Sequence, residues 1–218
     1  MIKGGARMLP KYAIYEKLLH AQVVAVIRGQ NSQEALEVSK AAISGGISAI
    51  ELTYTTPEVE DVFKELRHQN ILLGAGSVMD TETARHAILS GASFIVSSHF
   101  VKEIASLCNQ YSVPYLPGCM SVSDMALALE AGCDVVKLFP ANSFDPSFIK
   151  SVNGPLPNVR IMPTGGISLN SMNDWLSAGA VAVGVGSDLT KAYQKGGYEA
   201  AVSLSKEYVC RKNEYMGV

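Results

Sequence analysis

The sequence is short of charge, has no surplus of cations and no long apolar run, and each shortage closes off a class of function. Only 17% of its 218 residues are charged, 18 Lys and Arg against 20 Asp and Glu, for a formal charge of -2. A general nucleic-acid binder needs clustered excess cations to neutralise phosphates, so none is expected, and any phosphate bound must be held locally. No apolar stretch reaches the length of a membrane span, and the opening MIKGGARMLPKYAIYEKLL has no continuous apolar segment with a small-residue cleavage site. The four cysteines, Cys108, Cys119, Cys133 and Cys210, form no CxxC pair. Lying in or beside apolar stretches, they read as reduced, mostly buried small hydrophobes, which suits the cytoplasm. HxH, HExxH and carboxylate clusters are missing too, so the chemistry expected here uses no metal and no cofactor.

What is present is a rhythm. Eight short apolar runs recur with helical patterns between them: VVAVIR from Val23, ISAIELT from Ile47, ILLGAGS from Ile71, SFIVSS from Ser93, VPYLPG from Val113, DVVKLF from Asp134, VRIMPTGG from Val159 and VAVGVGS from Val181. Seven steps span Val23 to Val181, about 23 residues each, which is room for one strand, one helix and two short loops. The runs are too apolar to alternate cleanly, as expected of parallel strands covered on both faces. A coarser repeat joins AISGGISAIEL, ILSGASFIVSS, LEAGCDVVKLF and LSAGAVAVGVG, each a helix end, a glycine (Gly46, Gly91, Gly132, Gly179) and a strand. Four double units make eight strands, and the α/β class that fits is a closed (β/α)8 TIM barrel, which removes the edges that an open doubly wound sheet, the alternative, would leave. The helices between open on Asn31 or Ser32, on Thr56 with Pro57 in the first turn, and on Asp80, with Gly91 past the end of the last. An extra N-terminal helix near Pro10 to His20 precedes the first strand and is placed over the barrel's amino-terminal mouth. Residues 1–218 read as a single barrel domain.

In this fold chemistry sits at the carboxyl ends of the strands. Arg28 ends the first run, Glu51 and Thr53 the second, Ser77 follows the third, Ser97 and His99 the fourth, Lys137 and Phe139 end the sixth, Thr164 to Ser168 follow the seventh, and Gly186 with Ser187 closes the eighth. Lys137 stands among Val135, Val136, Leu138 and Phe139, where a stripped ammonium is costly and a neutral amine relieves the cost. A neutral amine adds to ketones to give a Schiff base; the alternative is a lysine that snorkels to solvent or pairs with a carboxylate. Glu51 is suited to shuttling protons beside that amine, or to a structural ion pair. Arg28 and Thr53 are substrate-binding candidates; the guanidinium fork matches a carboxylate or phosphate, or a structural partner. PTGGIS (Pro163 to Ser168) and GVGS (Gly184 to Ser187) follow the seventh and eighth strands, where Gly165, Gly166, Gly186 and Ser187 can bring backbone N–H groups to a phosphate; a tight turn is the bland reading. Ser77 donates to substrate or caps the next helix, and His99 reads as structural.

Taken together, IELT, GAGSV, VVKLFPA, PTGGIS and VGVGS resemble the 2-keto-3-deoxy-6-phosphogluconate (KDPG) and 4-hydroxy-2-oxoglutarate (KHG) aldolase family over about Val23 to Leu189. The resemblance implies a class I aldolase that cleaves a phosphorylated 2-keto acid to pyruvate and an aldehyde. Lys137 would be its Schiff-base lysine and Glu51 its proton shuttle. Ser77, Ser98 and Phe139 would line the substrate, Gly165, Gly166 and Ser187 would bind phosphate, and the assembly would be a homotrimer. Three departures stand out. Tyr54 in LTYTTP is assigned to the arginine of a TxRT segment that helps bind the substrate carboxylate, GAGT becomes GAGS, and Ser98 replaces a proline. The rivals are a barrel isomerase, decarboxylase or synthase acting on another phosphorylated metabolite, and a non-catalytic phosphosugar sensor.

Overall fold

A computed structural model describes residues 8–217. Each of the eight apolar runs forms a strand at its expected place: β1 Val23–Ile27, β2 Ala49–Thr53, β3 Leu72–Gly76, β4 Phe94–Val96, β5 Tyr115–Leu116 with β6 Gly118–Cys119, β7 Val135–Leu138, β8 Arg160–Pro163 and β9 Val183–Val185. β5 and β6 are two halves of the fifth barrel strand, interrupted at Pro117, which has no N–H for a ladder. All pairings are parallel, in the orders β5-β4-β3-β2-β1-β9 and β6-β7-β8. The two arcs close into a barrel at both seams. Thr164 bridges Gly184 between β8 and β9, and the Lys137 N–H donates to Pro117 O at 2.8 Å between β7 and the break in the fifth strand.

Burial sorts the residues by parity, as a barrel requires. Val24, Ala49, Leu72, Phe94, Leu116, Val135, Met162 and Ala182 form an inner cluster, whereas Val136 and Leu138 belong to the outer one, between strands and helices. Two residues further along each strand from the inner set come Val26, Glu51, Lys137 and Thr164, so these are inward positions one layer nearer the carboxyl mouth. α1 (Pro10–Ala21) plugs the opposite mouth as expected: its Tyr15, Leu18 and Ala21 join the inner cluster.

The helix signals are realised with one exception. α2 (Ser32–Ser44) is capped by Asn31, which accepts the Glu34 N–H, and α4 (Thr81–Ser90) by Asp80, which accepts the Thr83 N–H. The repeat glycines all lie past helix ends with left-handed φ, from +80° at Gly132 to +110° at Gly91, a conformation that strains any residue with a Cβ. The exception is α3, which begins at Val59 after an N-cap Glu58 that makes no side-chain cap bond. Thr56 does not cap it. Its buried hydroxyl instead accepts the Gly29 N–H at 3.1 Å and tethers the loop after β1 to the loop after β2. Pro57 biases Thr56 toward an extended backbone, which delays the helix.

The remaining helices are α5 (Lys102–Tyr111), α6 (Val122–Glu130), α7 (Ser147–Asn153), α8 (Met172–Ser177) and α9 (Ser187–Met216). Three cysteines, Cys108, Cys119 and Cys133, are buried, and the fourth, Cys210, is exposed on α9; all are free.

Candidate active site

The carboxyl mouth holds two adjoining cavities that share Val26, Arg28, Thr53, Phe139 and Thr164. The inner lobe, about 340 Å³, adds Glu51, Thr55, Ser77, Met79, Ser98 and Lys137. The outer lobe, about 480 Å³, adds the glycine loops, Ser187, Thr190, Lys191 and Gln194. All eleven residues singled out in the sequence for catalysis or binding therefore line one continuous mouth, and His99 does not.

Lys137 and Glu51 meet in the inner lobe. Nζ lies 3.4 Å from Glu51 Oε1, with the lysine side chain 7% exposed and the glutamate side chain fully covered. The snorkelling alternative for Lys137 is thereby removed. Nζ also sits 4.9 Å from the centroid of the Phe139 ring, whose face favours a cation. The pair is not saturated: Glu51 Oε2 is buried without a hydrogen-bond partner, and so is Thr164 Oγ1 on the next inward position round the barrel. A buried acceptor or hydroxyl left unpaired is costly, which is what a site looks like before substrate or water completes it.

Backbone that stays close to these groups does so because side chains are missing. A Cβ added at Gly76 would overlap Glu51 Oε1, and one added at Gly184 would overlap Thr164 Oγ1. At the outer lobe Gly165 and Gly166 have φ of +97° and +77°. The other side of that cradle is the start of α9, where Leu189 and Thr190 N–H donate to Gly186 O and, with no capping side chain at Gly186, the N–H groups of Ser187 and Asp188 have no partner among the described residues and stay free for an anion.

The other candidates resolve as follows. Ser77, at φ +57°, faces the inner lobe and does not cap α4, since Asp80 does. Arg28 is exposed and makes no ion pair among the described residues, so the structural-partner alternative falls. Ser98 lies in the inner-lobe wall with its hydroxyl 3.2 Å from Met79 Sδ. His99 serves through its backbone, its carbonyl accepting from Ser97 Oγ and Tyr115 OH.

One assignment is corrected. Tyr54 faces away from the mouth: its ring packs 6.0 Å from Phe63, its OH is 3.4 Å from His86 Nδ1, and burial pushes the hydroxyl up to about 12. Side chains alternate along β2, so Glu51, Thr53 and Thr55 share the inward face and Tyr54 takes the outward one. Thr55 is the residue in the inner lobe, and TxRT counted from Thr53 puts the arginine's place at Thr55. Sequence reasoning placed Thr164 at the end of the seventh strand without giving it a role, and it passed over Lys191. Parity from the strand start would have turned the first inward, and a four-residue helical step from Ser187 would have found the second.

What a dry amine beside a carboxylate can do, with an anion cradle within reach, is form and break imines on a carbonyl substrate that carries a remote negative group. That defines the class: an imine-forming lyase built on a barrel. Comparison with known proteins narrows it. The family model for KDPG and KHG aldolase matches residues 14–204. The chain is 34% identical to the 2-dehydro-3-deoxy-phosphogluconate aldolase of Pseudomonas aeruginosa, covering 89% of this chain and 91% of that one. It is 32% identical to the enzyme of the same description from Treponema pallidum, covering 89% and 95%. The KDPG aldolase of Legionella pneumophila, solved with pyruvate captured as a covalent carbinolamine, superposes with a TM-score of 0.80 at 27% identity, covering 91% and 97%. The chain belongs to the KDPG and KHG aldolase family and is a Schiff-base pyruvate aldolase.

Proposed function

We propose that Lys137 and Glu51 carry the reaction and that the preferred substrate is a 6-phosphorylated 2-keto-3-deoxy sugar acid, cleaved to pyruvate and glyceraldehyde 3-phosphate. The observation that carries this reading is the buried Lys137–Glu51 pair opening into the same mouth as the glycine cradle. Lys137 Nζ adds to the C2 ketone, and loss of water leaves an iminium. Glu51 takes the C4 hydroxyl proton, the C3–C4 bond breaks, and its electron pair passes into the iminium to give an enamine while the aldehyde departs. The enamine takes a proton at C3, and water hydrolyses the resulting imine to pyruvate and the free amine. Glu51 Oε2, buried and unpartnered, is the acceptor available for the hydroxyl or for an intervening water.

Arg28, Thr53, Ser77, Ser98 and Phe139 hold the keto-acid portion, and Gly165, Gly166, Gly186 and Ser187 hold the phosphate. In the inner lobe Thr55 supplies a hydroxyl where the family's arginine would stand, so the carboxylate relies on Arg28 and the hydroxyls. The cations lining the mouth, Arg28, Lys137 and Lys191, outnumber its one carboxylate, Glu51, which favours a multiply anionic substrate. Unphosphorylated 4-hydroxy-2-oxoglutarate would leave the outer lobe empty, and for that reason ranks second. Remote phosphate contacts position the reacting carbons, so losing them lowers turnover as well as affinity.

The reading takes the chain as one barrel domain, working as a cytoplasmic homotrimer. Three buried free thiols support the reducing compartment. Met120, on the loop after β6, and Val122, at the start of α6, are exposed apolar side chains at the carboxyl rim and support self-association. No helix among the described residues is long and apolar enough to cross a membrane. Borohydride reduction in the presence of pyruvate tests the chemistry: a covalent adduct on Lys137 is expected, and its absence overturns the reading. Cleavage rates on KDPG, its C4 epimer and 4-hydroxy-2-oxoglutarate rank the substrates, and sedimentation velocity gives the subunit count.

A further inference from the structure

The two cations of the mouth that make no ion pair among the described residues, Arg28 and Lys191, are not equivalent. Arg28 lines both lobes, whereas Lys191 lines the outer lobe alone, beside the glycine loops and away from the amine and carboxylate that face the inner lobe. We propose that Lys191 is the side chain that recognises a terminal phosphate monoester and sets the preference for phosphorylated over unphosphorylated substrate. This rests on the aldolase reading above and names the part of the site that reads the far end of the substrate.

Lys191 lies in the second turn of α9, four residues after Ser187, so the two share one face of the helix. Long side chains on a helix lean toward its N-terminus, which here is the end that opens onto Gly165 and Gly166. The ammonium therefore serves the same volume as the free backbone N–H groups of the helix start. The helix dipole favours lysine only in the last turn of a helix, so it does not account for a lysine here.

Neighbouring acids do not claim it. Among the described residues Lys191 makes no ion pair or side-chain hydrogen bond, and the nearby carboxylates are engaged elsewhere. Glu34 accepts from the Gln30 N–H and from Gln194 Nε2. Asp188 accepts from Tyr208 OH at 3.0 Å. Gln194, one turn beyond Lys191 and held by Glu34, closes the outer edge of the lobe. A dianionic phosphate seated on the glycine loops would meet one exposed ammonium that no described residue engages. A hydroxymethyl terminus in the same place would gain little from it.

Three proteins test this: the unaltered chain, Lys191→Met and Lys191→Arg. The first readout is the ratio of kcat/KM for 2-keto-3-deoxy-6-phosphogluconate to that for 2-keto-3-deoxygluconate. Removal of one charge-assisted contact predicts that Lys191→Met lowers this ratio by about 10- to 100-fold, and that Lys191→Arg restores most of it. The second is calorimetric binding of inorganic phosphate, which needs no turnover and should weaken in Lys191→Met. A thermal midpoint that is unchanged or raised would separate recognition from a structural role. A ratio that stays constant, or equal losses on both substrates with phosphate binding intact, would overturn the proposal. Failure of the unaltered chain to trap pyruvate under borohydride would instead overturn the aldolase reading, leaving phosphate binding to decide the part assigned to Lys191.

Discussion

Gly76 on β3 and Glu51 on β2 occupy the same space: the carboxylate of Glu51 rests where the side chain of residue 76 would be. A Cβ built on Gly76 overlaps Oε1 and comes within 2.7 Å of Cγ and 2.8 Å of Cδ. The glycine of GAGS is thus the floor on which the carboxylate reaches Lys137, 3.4 Å away.

Gly76→Ala should displace that carboxylate while leaving the barrel folded. Overpacking of this kind costs about 1–3 kcal/mol, and loss of a positioned acid–base group lowers kcat by about 100-fold or more. On the proposed roles imine formation needs Lys137 more than Glu51, so borohydride trapping of pyruvate should outlast multiple turnover. Single-turnover trapping and steady-state rates on the same preparation check this, and an unchanged kcat would show that the seat of Glu51 is not critical.

Lys137→Met removes the only ionic partner that the fully buried Glu51 carboxylate has among the described residues. Stranding a charge in this way typically costs about 3–5 kcal/mol. Adding Glu51→Gln to Lys137→Met should recover a large part of that loss, because the amide carries no charge to strand. Urea unfolding of the two single variants and the double variant gives the coupling directly, and additive losses would mean the two groups do not interact. All three proteins should be inactive, and those lacking Lys137 should give no pyruvate adduct.

Thr56→Val tests the tether between the first two barrel loops. It takes away the acceptor for the buried Gly29 N–H, at a cost of about 1–3 kcal/mol. Gly29 follows Arg28, so a loosened loop should also raise KM for an anionic substrate. Thr56→Ser keeps the hydroxyl and should restore both properties, as measured by thermal melts and initial rates.

Much of the barrel was legible because its signals are local. Strand pitch, the helix-end glycines and the Asn31 and Asp80 caps each act within a few residues, and a parallel sheet buried on both faces leaves unmistakable apolar runs. The lysine in DVVKLFPA was legible for the same reason, as an expensive charge in an apolar strand. Thr56 was misread because a threonine before proline looks like a cap, whereas its hydroxyl is spent on Gly29, 27 positions away in sequence. Tyr54 was misplaced by one residue, and in a strand one residue is the difference between the two faces. Thr164 shows in the sequence only as one polar residue at a strand end, and Lys191 does not stand out at all. Their significance comes from what the fold brings beside them: the missing side chain of Gly184 for one and the glycine loop for the other.

Alkali should destabilise the protein through its buried thiols. Burial pushes Cys108, Cys119 and Cys133 up from 9.0 to about 12. Below pH 9 both folded and unfolded chains keep these protons, and the thiols make no difference to stability. Above it the unfolded chain releases them while the folded chain holds them until about pH 12, so ionisation favours unfolding over that window. Each thiol can contribute a slope of up to about 1.4 kcal/mol per pH unit. Urea midpoints should therefore fall steadily between pH 9 and pH 11. Cys133→Ala should reduce that slope even if it lowers the midpoint at pH 8 through lost packing, because the two effects differ in their pH dependence. In the native protein at pH 8 a thiol-specific reagent should titrate one cysteine, the exposed Cys210, and all four after unfolding; rapid reaction of four in the native state would contradict the burial on which the slope depends.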